Sequence, residues 1–172
     1  AELRARGIDP YPAETYPVSH HSEAVISGYK EDPEAFKEVR LAGRLMTKRV
    51  MGKASFAVLQ DPHGSIQLYI ARDELCPGED KSYYNEVFKK LISRGDFIGV
   101  AGHVFTTQTG EITLHVTELT ILGKALRPLP SAKEKEGEVY DAFSDPELRH
   151  RRRYLDLTVY PHVRETFMKR TR

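Results

Sequence analysis

The residues able to do chemistry gather in one stretch, MTKRVMGKASFAVLQDPHGSIQLYIARDE, residues 46–74. Lys48, Arg49 and Lys53 crowd a glycine-containing loop, and Phe56 and Gln67 stand in the runs that follow. Each cation can approach a phosphate, and the planar fork of Arg49 can also donate twice to a base edge. A wet aromatic ring is a stacking platform worth about 1–3 kcal/mol per base. An amide carries both donor and acceptor, so Gln67 can pair with the Watson–Crick edge of a splayed uracil. Glu111 follows TQTG; a carboxylate repels phosphate but accepts a hydrogen bond from a base N–H. Each residue also has a plainer reading. The basic loop can be a solvated turn, Glu111 an exposed hairpin residue, and Phe56 part of the core, where most phenylalanines go.

Other chemistry is thin. Seven histidines are scattered along the chain, and none stands at metal-ligand spacing with a cysteine or carboxylate. His20 and His21 are adjacent, so their rings point apart. GxxxxGK[ST], GxSxG and HExxH do not occur. Arg149, Arg151, Arg152 and Arg153 could bind RNA. Packing on a neighbouring domain through Tyr154, Leu155 and Leu157 explains that run as well.

Charged residues make up 30% of the 172 and hydrophobic ones 40%, the balance of a soluble globular protein. The length suits one domain with an appendage. Net charge is +1, so any nucleic-acid footprint must be local. With a single cysteine, Cys76, an internal disulfide is excluded and a reducing compartment is expected. No apolar run is long enough to predict a transmembrane helix. Leu3 to Arg6 reads as the tail of a helix ended by Gly7, and VRETFMKRTR stops mid-helix, so a fragment of a longer protein is expected.

The elements that must position these residues follow from periodicity. Residues 1–38 form a lead-in segment, with short helices in SHHSEAVIS and in DPEAF, the latter capped by Asp32 and opened by Pro33. From Val39 the period becomes two. VRLAGRLMTK is a strand with Gly43 inward, where close backbone approach is expected. SFAVLQ and SIQLYIA are the next two strands, joined by DPHG. Gln67 lies opposite Ile66, Leu68 and Ile70. In SFAVLQ, Phe56 and Val58 compete with Ala57 and Leu59 for the inside, and the spacing leaves the parity open. Tyr84, Val87, Phe88, Leu91 and Ile92 recur at helical spacing, with Ser82 as N-cap and Gly95 as terminator. FIGVAGHVF is the fourth strand. ITLHVTELTIL is the fifth, and its slip in parity predicts a β-bulge near Thr117 or Glu118. SAKEKEGEVYDAF is polar, with few apolar anchors. SDPELRHRRRYLDL is a basic helix capped by Asp145 or Ser144, and a last helix begins near Val163.

Three strands, a helix and two strands give a mainly β fold with flanking helices. The order is that of an OB-fold, a five-stranded barrel with a helix between strands three and four. A two-sheet sandwich is the alternative. An OB barrel binds on the face of strands two and three, rimmed by the loops joining strands 1–2 and 4–5. That puts Lys48, Arg49, Lys53, Phe56, Gln67 and Glu111 around one face.

At these residues the chain resembles a family. GRLMTKRVMGKASFAVLQD, GSIQLYIARDEL, TGEITLHVTELTILGKALRPLP and RHRRRYLDL are similar to the N-terminal part of bacterial-type class II lysyl-tRNA synthetases. The resemblance covers nearly the whole chain. Aspartyl and asparaginyl enzymes share the barrel, but MTKRVMGKASF and GKALRPLP point to the lysine enzyme. The resemblance implies a barrel over residues 39–123 that binds the anticodon of tRNA-Lys. Residues 124–172 would be a hinge and the start of a truncated catalytic domain. Phe56 would stack on an anticodon base, Gln67 would read the central uridine, Arg49 would hold the loop and Glu111 would touch a flanking base. It also implies a full-length enzyme, cytoplasmic and homodimeric, that activates lysine with ATP and magnesium and transfers it to tRNA. The motifs for that chemistry are absent here, so no catalytic, cofactor or metal residue is expected in this chain. A general single-strand-binding module, or a barrel serving chiefly as a docking surface, are the competing readings.

Overall fold

The computed structural model describes residues 1–127, 129–130, 132–135, 138–141 and 143–171. The chain divides into two compact units, Ala1–Arg127 and Pro128–Arg172.

The first unit is built on a closed barrel of β1 (Val39–Met51), β2 (Ala54–Gln60), β3 (Ser65–Ala71), β4 (Phe97–Thr106) and β5 (Ile112–Gly123), in the order β1-β2-β3-β5-β4. Every junction is antiparallel except the short parallel one between β3 and β5. β1 closes the barrel because it serves two neighbours. Its first half, Val39–Arg44, pairs with β4, and its second half, Arg44–Met51, pairs with β2. Gly43 sits at that change of partner. A Cβ there would lie 2.4 Å from the Gln60 carbonyl oxygen, so only glycine lets β1 and β2 approach. The bulge in β5 falls at Thr117, since Ala101 pairs with Glu118 and Gly102 with Val116.

Alternation fills the barrel. Leu41, Leu45, Leu59, Leu68, Ile70, Ile98, Leu114 and Val116 are buried, each worth roughly 1.5–3 kcal/mol of apolar burial. On β2 the buried set is Ser55, Ala57 and Leu59, which resolves the parity: Phe56 and Val58 face outward.

The lead-in segment carries α1 (Glu2–Ala5), α2 (Ser22–Gly28) and a 3₁₀ turn at Pro33–Phe36, with the Asp32 carboxylate accepting from the Glu34 N–H. After β3, α3 (Arg72–Leu75) leads to the helix between β3 and β4, Tyr83–Leu91. Three details there differ from the sequence expectation. The helix is π-wound, and the Ile92 N–H reaches the Val87 carbonyl five residues back. Ser82 stands at the N-cap position as expected, but its hydroxyl donates to Asp80 and makes no capping bond. Gly95 does not end it either, because Ile92 is already extended and Gly95 lies in the turn into β4. The buried face is the expected one, with Tyr84, Val87 and Phe88 under the barrel.

In the second unit, β6 (Ala132–Lys135) and β7 (Glu138–Asp141) form a hairpin. Nothing in that polar segment pointed to strands. The basic helix is broken at Arg152 into α4 (Pro146–Arg151) and α5 (Arg153–Val159), and α6 is Pro161–Thr171. Asp145 is the N-cap of α4. Asp156, fully buried, accepts from Arg149 and Arg153, and the Arg149 guanidinium lies over the Tyr160 ring. At least two of the four arginines therefore serve the fold of this unit.

Candidate nucleic-acid interface

Ladder register fixes which side chains share the outer face of the barrel. Arg49 pairs with Phe56, Phe56 with Tyr69, Tyr69 with His115 and His115 with His103. This is one continuous row across all five strands. Two residues along each strand, Val58, Gln67, Thr113 and Phe105 form a second row. Both rows, apart from His103 and the buried Thr113, floor a groove of about 1020 Å³, which also takes in Met51, Arg94, Gln108 and Thr109.

Phe56 is half-buried and lines this groove. Its ring centroid is 5.2 Å from that of Tyr69, inclined at 53°, so Tyr69 does not lie flat on Phe56. Gln67 is the neighbour across the diagonal. The buried Thr113 hydroxyl donates to its Oε1 at 2.9 Å. That bond fixes the amide, leaving its NH₂ and one oxygen lone pair for a base edge.

The β1–β2 hairpin forms the basic rim. Gly52, with φ 67°, takes the first central position of a two-residue turn between Met51 and Ala54. Arg49 and Lys53 are exposed, and no ion pair among the described residues holds either one. Lys48 is different and corrects the expectation. Its ammonium donates to the carbonyls of Phe88 (2.9 Å), Lys89 (3.2 Å) and Ile92 (2.5 Å), closing the C-terminal end of the π-helix. Burial lowers its pKa, with Asp96 acting against the shift. The stem of Lys48 lines the groove while its charge is turned to the helix end.

Glu111 is exposed at the foot of the β4–β5 hairpin, where Thr107 bonds its backbone through both N–H and C=O. It stands on the rim and does not line the groove.

Sequence reasoning singled out Phe56 and Gln67 but missed Tyr69, Phe105, His115 and Arg94. The signal for Tyr69 was present, since it shares parity with Gln67. Phe105 and His115 needed the strand order, because β5 lies between β3 and β4 and brings them beside Tyr69. The rings of Tyr69 and His115 are 5.0 Å apart, and those of Tyr69 and Phe105 are 6.0 Å apart. His115 Nε2 is enclosed with no hydrogen-bond partner among the described residues. Burial, with His103 beside it, holds this imidazole below the usual histidine range, so it is neutral at pH 7.

A row of aromatic rings, one anchored amide and unpaired cations at the rim can bind single-stranded nucleic acid. Among the described residues no group of histidine, cysteine and carboxylate side chains could hold a metal ion. No helix among them is long and apolar enough to cross a membrane.

Comparison with known proteins agrees with this chemistry. The tRNA anti-codon family, described as an OB-fold nucleic acid binding domain, matches residues 39–122. Lysine–tRNA ligase of Porphyromonas gingivalis (strain W83) is 56% identical over 171 residues, 99% of this chain and 30% of that protein. The lysine–tRNA ligases of Azobacteroides pseudotrichonymphae and Christiangramia forsetii are each 54% identical over 171 residues, covering 34% and 29% of those proteins. The chain thus spans about a third of the length of these curated relatives. The barrel thus matches an OB-fold nucleic acid binding domain at residues 39–122, and nearly the whole chain is similar to part of lysine–tRNA ligases.

Proposed function

We propose that the groove reads the anticodon of tRNA-Lys for a longer lysine–tRNA ligase that activates lysine with ATP and transfers it to the tRNA. The observation that carries this reading is the outward Phe56 ring beside a Gln67 amide locked by Thr113. Phe56 stacks on the central uridine, and Gln67 pairs with its Watson–Crick edge. A fixed amide discriminates better than a rotating one, because a mismatched base cannot turn it to suit. Arg49 and Lys53 meet the loop phosphates from the β1–β2 hairpin. Glu111 accepts from a flanking base N–H. Lys48 supports this surface from beneath by holding the helix end.

ATP and magnesium belong in this reading to the longer protein, and anticodon binding needs neither. Residues 1–38 support the barrel, and 124–172 lead into the catalytic part of the longer protein, which we place in the cytoplasm as a homodimer.

The deciding experiment compares stem-loops with different anticodons at fixed salt. Binding should fall about tenfold or more when the central uridine is replaced, and Gln67→Ala should erase that preference. Equal affinity for every anticodon, with a steep salt slope, would instead identify a general single-strand binder. The continuous Phe56–Tyr69–Phe105 surface is the feature that favours that second reading.

A further inference from the structure

Phe105 is an aromatic side chain of the groove that the anticodon reading leaves without a task. It is half-buried on β4, on the same face as Phe56. Tyr69 stands between the two rings, 5.2 Å from one and 6.0 Å from the other. Neither neighbour lies flat on Phe105, since Tyr69 meets it at 73° and His115 at 57°. A face of Phe105 is thereby left for a parallel stack, as on Phe56. The His115 ring beside it is part-buried, and burial holds its pKa below the usual histidine range. Gln108, exposed on the adjoining β4–β5 loop, brings a second amide with no protein partner among the described residues. The arrangement repeats the first subsite: one ring, one amide, and a shared central tyrosine.

We infer that Phe105 is a second stacking platform, taking the nucleobase adjacent to the one on Phe56, with Gln108 at that base's edge. This rests on the reading of the groove as an anticodon site and names a second base within it. Single-stranded RNA is the occupant because the subsite is continuous with the Phe56 site and lies under the unpaired cations of the β1–β2 hairpin. Two platforms divided by Tyr69 would hold neighbouring bases splayed apart, each with its own amide.

The test couples residue to nucleotide. Stem-loops carrying an abasic residue at the central position, or at either flanking position, are titrated with the chain and with Phe56→Ala, Phe105→Leu and Phe105→Tyr. An abasic residue at one flanking position should weaken the unmodified chain about tenfold and should weaken Phe105→Leu no further. Phe105→Tyr, which keeps a ring, should retain the sensitivity. Melting curves check that each variant is folded, and the abasic series on the unmodified chain requires no variant at all. If the central abasic residue couples to Phe56 but neither flanking one couples to Phe105, the second platform is refuted and the anticodon reading stands. If the central abasic residue does not couple to Phe56 either, both fall.

Discussion

Two hairpins leave the same strand, β2, from opposite ends, and they spend their polar groups in opposite ways. The β2–β3 turn turns inward. Its Asp61 carboxylate, 5% exposed, accepts from the Ser22 N–H (2.6 Å), the Ser22 hydroxyl (2.7 Å), and the His63 and Gly64 N–H groups (2.8 Å each). One side chain thus closes its own turn and pins the start of α2 to the barrel. The β1–β2 hairpin turns outward. Arg49 and Lys53 have no acidic partner among the described residues, and Val50 and Met51 are 40% and 50% exposed. Satisfied groups build the scaffold, and unsatisfied ones face the solvent from which a ligand arrives. The boundary runs between adjacent residues, with Lys48 spent on the helix end and Arg49 free.

That contrast can be broken most forcefully at Asp61. Asp61→Ala should cost about 3 kcal/mol, because it strands buried donors, while anticodon preference is unchanged in the folded protein. Thermal melting and stem-loop titration read the two halves of this prediction. Burial alone would raise the Asp61 carboxyl, but the donors from Ser22, His63 and Gly64 outweigh it and hold its pKa below the usual aspartate range. A depressed folded value gives stability that is present above the unfolded pKa and lost as pH falls through the folded one. Melting of the unmodified chain should therefore weaken below about pH 4, and Asp61→Asn should flatten that limb.

On the groove, Phe56→Ala should weaken stem-loop binding by roughly 5–150-fold and leave the melting temperature nearly unchanged. A stability loss of about 3–5 kcal/mol, as for a core phenylalanine, would move the ring to the scaffold side of the comparison. Lys48→Met keeps the stem and removes the ammonium. It should cost about 1–2 kcal/mol of stability, with the salt dependence of binding unaltered; a shallower slope would show Lys48 on phosphate after all. The smallest effect belongs to Lys53→Ala. It should lower affinity by less than about 1 kcal/mol, equally for all loop sequences, and reduce the salt slope by roughly 0.7. A loss confined to one sequence would place Lys53 on a base.

Reading the sequence went well where the rule is local. Alternation located the five barrel strands and assigned Gln67 to the outer face, and the slipped parity in ITLHVTELTIL put a bulge near Thr117 or Glu118, where the structure has it at Thr117. Phe56 resisted because Phe56, Ala57, Val58 and Leu59 are all apolar, so alternation carries no sign there, and the resemblance to synthetases supplied the side. The helix was legible as a buried face but not as a π-helix, since Tyr84, Val87 and Phe88 suit either winding.

The chain by itself determined where the barrel strands lie along the sequence, the turn positions and the two faces of the barrel strands other than β2, because these follow from a two-residue period and from backbone chemistry within a few residues. Tertiary structure decided what the polar side chains do. Lys48 and the helix end are 40 to 44 residues apart, Asp61 and Ser22 are 39 apart, and Gln67 and Thr113 are 46 apart. Such partners are chosen by barrel closure, which sets unrelated segments within hydrogen-bond reach, and no local pattern records that choice.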